Sequence, residues 1–316
     1  MRIKVLGSAA GGGFPQWNCA CRNCTRLRDG SLQGVARTQT QIAIDCNPDY
    51  ALRRYWVFVN ASPDLRAQML GTRELHPFLN TNGSTPLSDI FLPSADVDSI
   101  MGLLHLREFQ GFRIFSLPSI RRIVSEENSI FRVLGRATPP VQWFPLSLAK
   151  PADWQTQYDQ KEVPKLIPHA VSLRGDYPDY ISEKLRAELP SQEAVVGFAF
   201  HYGAKRLFFA PTIPGHDQSW ISWAQSSDLV LIDGTFWSDD ELIRTGRSKK
   251  TARQIGHLPL SGPGGLLSQY PAKATGRKVL IHINNTNPIL DENSAEHRAV
   301  LEAGFEIAYD GMELKI

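Results

Sequence analysis

Two stretches of the chain, parted by a more polar middle, are each built of short apolar runs punctuated by turn residues. This doubling limits the fold more than any other feature. The first stretch opens with Arg2–Leu6, continues through Gln41–Asp45 and Tyr55–Asn60, and reaches a buried-strand pattern at Asp89–Leu92. Asn47-Pro48-Asp49 reads as a turn between strands. Ser62-Pro63-Asp64 pairs an N-cap residue with an early proline and predicts a helix over Asp64–Met69. Ile100, Leu103, Leu104 and Leu106 recur at helical spacing and predict a helix over Asp98–Phe109. The second stretch restarts with Ala194–His201, Arg206–Ala210 and Leu229–Asp233, adds Lys278–Ile283 and closes on the alternation Phe305, Ile307, Tyr309. Two β-rich halves, each with helices outside, predict an α/β fold: a four-layer αββα sandwich.

The 316 residues are read as one domain, with a lid or insertion around 150–193 where Lys, Gln, Asp and the Tyr177-Pro178 and Leu189-Pro190 pairs replace the apolar runs. The 34 basic and 32 acidic residues are mixed along the chain, so no basic field exists to attract nucleic acid. No apolar run approaches the ~20 residues of a membrane span, and the opening lacks the flank and length of a secretory signal. The expected location is cytoplasmic.

The sharpest local signal is Cys19-Ala-Cys21-Arg-Asn-Cys24, three thiols in a polar loop after Gly11-Gly12-Gly13. Thiolates so close suit one tetrahedral zinc, with a fourth ligand from elsewhere that makes the ion a staple between segments. Cys46 stands apart and reads as a small core residue. A second constellation, Ser94-Ala-Asp96-Val-Asp98-Ser99, sits between a buried strand and a helix, where Asp98 is either a helix cap or part of a site. Asp233 and His282 each end a buried strand, the place for ligands in layered α/β folds, and His257 follows a glycine in Ile255-Gly256-His257.

The opening Val5-Leu-Gly-Ser-Ala-Ala-Gly-Gly-Gly-Phe-Pro-Gln-Trp-Asn-Cys-Ala-Cys-Arg-Asn-Cys24 resembles the PqqB family of pyrroloquinoline quinone (PQQ) biosynthesis. So do Asn60-Ala-Ser-Pro-Asp64, Gly102-Leu-Leu-His-Leu-Arg-Glu108, Asp233-Gly-Thr235 and His282-Ile-Asn-Asn-Thr-Asn-Pro288, so the resemblance spans the chain. It implies a metallo-β-lactamase-like fold, a structural zinc on Cys19, Cys21 and Cys24, and a role in making PQQ from a Glu- and Tyr-containing peptide. The implied substrate is small and peptide-derived or amino-acid-like; the implied partners are other PQQ biosynthesis proteins, and a homodimer is entertained. Two functions are proposed for such proteins: iron-dependent hydroxylation of the tyrosine, and transport of PQQ or its precursor toward the periplasm.

The acidic loop resembles the His-x-His-x-Asp-His loop of metallo-β-lactamases with most imidazoles replaced. Ser99 stands where the family keeps a histidine, and Ser94 and Pro211 stand where related hydrolases have ligands. By position this leaves Asp96, Asp98, His257 and His282 as candidate ligands for Fe(II), with Asp98 and Asp233 as candidate catalytic carboxylates. His169 is a candidate replacement for the missing imidazole. Asn285 stands near the fourth zinc ligand of a related phosphodiesterase family and is the candidate to complete the cysteine site. Hydrolysis of a phosphodiester or ester is disfavoured, because it wants a hydroxide between two metals.

Overall fold

The structure is a computed structural model that describes residues 1–45, 55–77, 84–108, 110–152, 154, 166–271 and 273–316. Cys46, the Asn47-Pro48-Asp49 turn and Phe109 lie outside the described residues, as do most of those between Lys150 and Leu166.

Two mixed sheets lie face to face. In the first, β1 (Arg2–Gly7), β2 (Gln41–Asp45), β3 (Trp56–Val59), β4 (Leu87–Phe91), β5 (Arg113–Ser116) and β6 (Gln142–Pro145) follow one another in chain order. Neighbours from β1 to β3 are antiparallel and those from β3 to β6 parallel. The second holds β7 (Leu166–Ser172), β8 (Val196–Tyr202), β9 (Lys205–Ala210), β10 (Leu229–Asp233), β11 (Arg277–Ile281) and β12 (Glu306–Ile307). Here β7 to β9 are antiparallel and β9 to β12 parallel. A final strand, β13 (Glu313–Lys315), returns to pair with β1.

The inner faces meet in an aromatic core. Phe91, at the end of β4, stacks on Phe115 of β5 at 4.7 Å. Across the layer it meets Phe198 and Phe200 of β8 edge-on, each at 5.5 Å. Because side chains alternate along a strand, Ala199 and His201 of β8 then face outward, toward the helix Gln218–Ser226 that packs on β7 and β9. The αββα layering follows from this division.

Three expectations change in detail. Within the stretch 150–193, Leu166–Ser172 is a strand paired with β8 along seven residues. Leu166, Ala170 and Val171 are buried along it, and only His169 and Ser172 break its apolar run. The helix expected from Asp98 is broken: Val97–Ile100 is α-helical and Met101–Leu106 is 3-10. A Cβ at Gly102 would lie 2.2 Å from the Ser62 carbonyl oxygen, so the turn is pressed against backbone at the break. The other early helix runs over Leu65–Gly71, starting one residue later than expected; the Ser62 hydroxyl accepts from Asp64 N–H at 3.1 Å, and the Asp64 carboxylate accepts from the Gln39 N–H at 2.9 Å.

The two sheets are stitched where their parallel strands end. Val196 N–H donates to the Pro93 carbonyl at 2.8 Å, and Ala10 N–H to the Ile283 carbonyl at 3.0 Å. The carboxyl ends of β4, β10 and β11 thereby open onto one crevice, the usual place for a ligand in parallel α/β sheets. Since Phe91 joins the layers just below that crevice, Phe91→Ala is expected to cost about 3–5 kcal/mol. Urea unfolding of the variant, with Phe91→Leu as a milder control, checks this.

Candidate functional site

The acidic loop leaves the end of β4. Asp96 holds the N-cap position without a capping bond, because its carboxylate accepts from the Ser94 hydroxyl at 2.7 Å. Ser94 Oγ also lies 3.0 Å from Ser99 Oγ. Asp98, in the first helical turn, points its Oδ2 at His282 Nε2, 3.1 Å away. Capping therefore does not explain either carboxylate. Asn60 fixes the loop from below: its backbone is left-handed at φ 82°, and its amide donates to the Thr40 carbonyl at 2.6 Å and the Asp98 carbonyl at 3.1 Å.

His282 follows the last residue of β11 in a left-handed conformation, φ 61°. Its Nδ1 lies 2.9 Å from Thr235 Oγ1, and that hydroxyl lies 2.6 Å from Asp233 Oδ1. A hydroxyl has one proton. Given to the Asp233 carboxylate, it leaves Thr235 an oxygen lone pair to accept the His282 Nδ1 proton. The Nε2 lone pair then confronts the Asp98 carboxylate, a contact that a shared cation, proton or metal, makes favourable. Two ligand atoms about 2.1 Å from one ion and about 90° apart lie roughly 3 Å from each other, so the spacing suits a metal as well as a proton.

His257 follows Gly256, whose φ is 85°, and its Nδ1 lies 2.8 Å from Asp233 Oδ2. The same oxygen accepts from Ile213 N–H at 2.8 Å, and Oδ1 accepts from Thr235 N–H at 3.0 Å. Asp233, His257 and His282 offer ligand atoms within 4.8 Å of one another. We nevertheless assign Asp233 to orientation, because both its oxygens are already committed to N–H and O–H donors. The two imidazole rings lie nearly parallel, 5.3 Å apart.

Charge follows geometry. Burial pushes Asp98 and Asp233 up, but His282 and His257 together hold both below the usual carboxylate range. Burial pushes His282 down, and Asp98, Asp233 and Asp96 more than reverse it, so its imidazolium is favoured. Asp96, desolvated and beside Asp98, is pushed up to about 6. All these groups except Asp233 line a cavity of about 660 Å³ together with Ser94, Ser99 and Pro211. Gly11 lies over it, where a Cβ would stand 3.9 Å from Asp98 Oδ2. His169 is not part of it. On β7 its ring packs 4.8 Å from His201 and 5.2 Å from Trp223, on the outer face of the sheet, so it does not replace the missing imidazole.

The cysteine cluster lies behind the same segment. Cys19, Cys21 and Cys24 offer sulfurs within 4.8 Å of one another, and the Asn285 amide Nδ2 stands 3.1, 3.6 and 3.3 Å from them. A tetrahedral zinc with bonds of about 2.3 Å to sulfur and about 2.0 Å to oxygen places those ligands roughly 3.5 Å apart. Rotating the amide by half a turn, which exchanges its oxygen and nitrogen, puts an oxygen in that fourth position. The donor set thus fits zinc.

Fold and site together define a metallo-β-lactamase-type protein: residues 55–283 match the Beta-lactamase superfamily domain. Within it, the chain is 40% identical to coenzyme PQQ synthesis protein B of Azoarcus sp. (strain BH72) and 37% identical to that of Pseudomonas putida, covering all of both chains in each case. The Zn(2+)-bound PqqB structure from Methylobacterium extorquens superposes with a TM-score of 0.88 at 33% identity, again over both whole chains. A diphosphatase of the PhnP family shares the fold, with a TM-score of 0.62 at 16% identity over 100% of this chain and 97% of that one. The chain belongs to the coenzyme PQQ synthesis protein B family.

Sequence reasoning missed two groups that only folding brings in. Thr235 had no assigned role, and Glu241 none at all. Glu241 is buried, accepting from Thr286 Oγ1 at 2.5 Å and Trp237 N–H at 2.7 Å, and so anchors the loop that carries Asn285. Burial pushes its carboxyl from 4.5 up to about 7. Between those values the folded protein keeps a proton that the unfolded chain releases, so stability falls as pH rises through this window, by roughly 3 kcal/mol in all. Glu241→Gln is expected to abolish this slope, as read by urea unfolding at about pH 4.5 and about pH 8. An unchanged slope would remove Glu241 from the account.

Proposed function

We propose that the protein is an iron-dependent oxygenase of PQQ biosynthesis that hydroxylates the tyrosine ring of a small Glu-Tyr-derived precursor. The observation that carries this is the way both imidazoles are held. His257 is pinned through Nδ1 by Asp233, His282 through Nδ1 by Thr235, and Asp98 faces His282 Nε2. Ligating histidines are oriented in this manner, with the far nitrogen given to a carboxylate or hydroxyl and the near one left for the ion. Two imidazoles and one carboxylate suit a ferrous ion and leave positions for other ligands.

When bound, that ion supplies the activation of dioxygen beside the phenol. In the overall balance one oxygen atom enters a ring C–H bond. The other leaves as water, with two electrons and two protons from an external reductant. The chain's own part is orientation and exclusion of water. Asn60 holds the Asp98 backbone, and Phe236 packs edge-on against His257 at 5.7 Å. Segment 173–182 covers one side, tied down by the Tyr180 hydroxyl donating to the Ala95 carbonyl at 2.6 Å. We take this cover as the lid of a single domain. Ser94, Ser99 and Pro211 supply no imidazole for a second metal, which argues against a dinuclear hydrolase.

Zinc on Cys19, Cys21, Cys24 and Asn285 is then structural, and catalysis belongs to the other centre. A second reading, a carrier for PQQ or its precursor, draws on Ser99, whose hydroxyl is bonded within the loop to Ser94 and is a poor iron ligand. No helix among the described residues is long and apolar enough to cross a membrane, so transport would require other proteins.

The test is anaerobic reconstitution with ferrous ion, then dioxygen, a reductant and a Glu-Tyr dipeptide, followed by mass spectrometry and metal analysis. The oxygenase gains one oxygen atom on the dipeptide. His282→Ala is expected to lose iron and product while keeping zinc, and Cys21→Ala to lose zinc. Dipeptide bound but returned unchanged at full iron loading would contradict the oxygenase and favour the carrier.

A further inference from the structure

The rim of the cavity carries a pattern that its polar floor does not explain. Eleven large apolar side chains are substantially exposed among the described residues, and three of them line this one cavity. They are Val97, 56% exposed, Tyr180, 45%, and Ile255, 37%. Each belongs to a different wall. Val97 lies between the two loop carboxylates, Tyr180 on segment 173–182, and Ile255 two residues before His257. Scattered apolar residues on a surface need no explanation, but three converging on one mouth form a collar for an apolar body.

Charge is distributed unevenly around the same mouth. Lys250 lines the cavity on the Ile255 side and has no ion-pair partner among the described residues. Arg247, Lys249 and Arg253 on its own segment add to the positive field. Segment 173–182 brings Asp176 and Asp179 to the same cavity, the latter 3.7 Å from the Arg186 guanidinium. An anionic group is therefore drawn to Lys250 and turned away from Asp176 and Asp179.

We propose that Lys250 is a specificity-determining residue that takes a carboxylate of the substrate, while Val97, Tyr180 and Ile255 hold an aromatic ring between it and the floor. The ligand class is a small aromatic carboxylate. This rests on the cavity being the substrate site and deepens that reading. It does not require turnover, because it is read by equilibrium binding.

Two probes differing only in charge isolate the lysine: 3-(4-hydroxyphenyl)propionate and its primary amide, titrated calorimetrically into the metal-loaded protein. The carboxylate is expected to bind the wild type about tenfold tighter than the amide. In Lys250→Met that preference falls to about twofold or less, and Lys250→Arg restores most of it. Ile255→Ser weakens both probes alike and leaves their ratio unchanged. Metal content, measured on each variant, stays at the wild-type level, which separates loss of this contact from loss of the metal site. Equal affinity of the wild type for both probes, failure of either to bind, or a preference that persists in Lys250→Met would overturn the assignment.

Discussion

The segment from His282 to Asn287 is the constraint on which the rest of the site depends. Within six residues it presents one imidazole to the cavity, lays an amide against three sulfurs, and locks onto the ends of β1 and β10 and onto the helix Arg22–Arg28. Ile283 N–H donates to the Ser8 carbonyl at 3.0 Å. The Asn287 amide donates to the Gly234 and Thr235 carbonyls at 2.9 and 3.2 Å, and the Asn23 amide to the Asn285 and Asn287 carbonyls at 3.2 and 2.9 Å. An ion on the cysteines would tighten a segment whose other end carries His282, which gives a structural zinc a direct bearing on the geometry of the second centre.

The cavity floor is a polar network in a poorly solvated place, and such networks are costly unless every member is satisfied. Asp233 meets this demand with Ile213, Thr235 and His257. The contact left waiting for a cation is Asp98 with His282, which either a proton or a metal would satisfy. Serines at 94 and 99 close the remaining polar demand among themselves and Asp96, and neither offers an imidazole.

Much of the fold was legible because strand periodicity and turn chemistry are local. Leu229–Asp233 and the acidic loop announced themselves, and both strand-ending residues, Asp233 and His282, meet at the site. The breaks came where distant packing overrides local pattern. The helix after Asp98 is cut short by Gly102 against Ser62, and β7 is obscured by the polar residues that follow it. The resemblance added what periodicity lacks, the grouping of His257 with Asp233 and of Asn285 with the cysteines. Thr235 and Glu241 were illegible for a related reason: each acts on a partner 47 or 45 residues away, a distance that no local motif spans. Asp233, a candidate catalytic carboxylate by its place at a strand end, is held by Ile213, Thr235 and His257, contacts that no local pattern announces.

The central claim, two chemically distinct centres joined by one segment, is tested most directly by anomalous diffraction at the zinc and iron edges from crystals grown anaerobically with both metals. The account predicts a zinc peak among Cys19, Cys21, Cys24 and Asn285, and a separate iron peak bonded to Asp98, His257 and His282. Zinc in both places under excess ferrous ion, or no metal at all between Asp98 and His282, would contradict it.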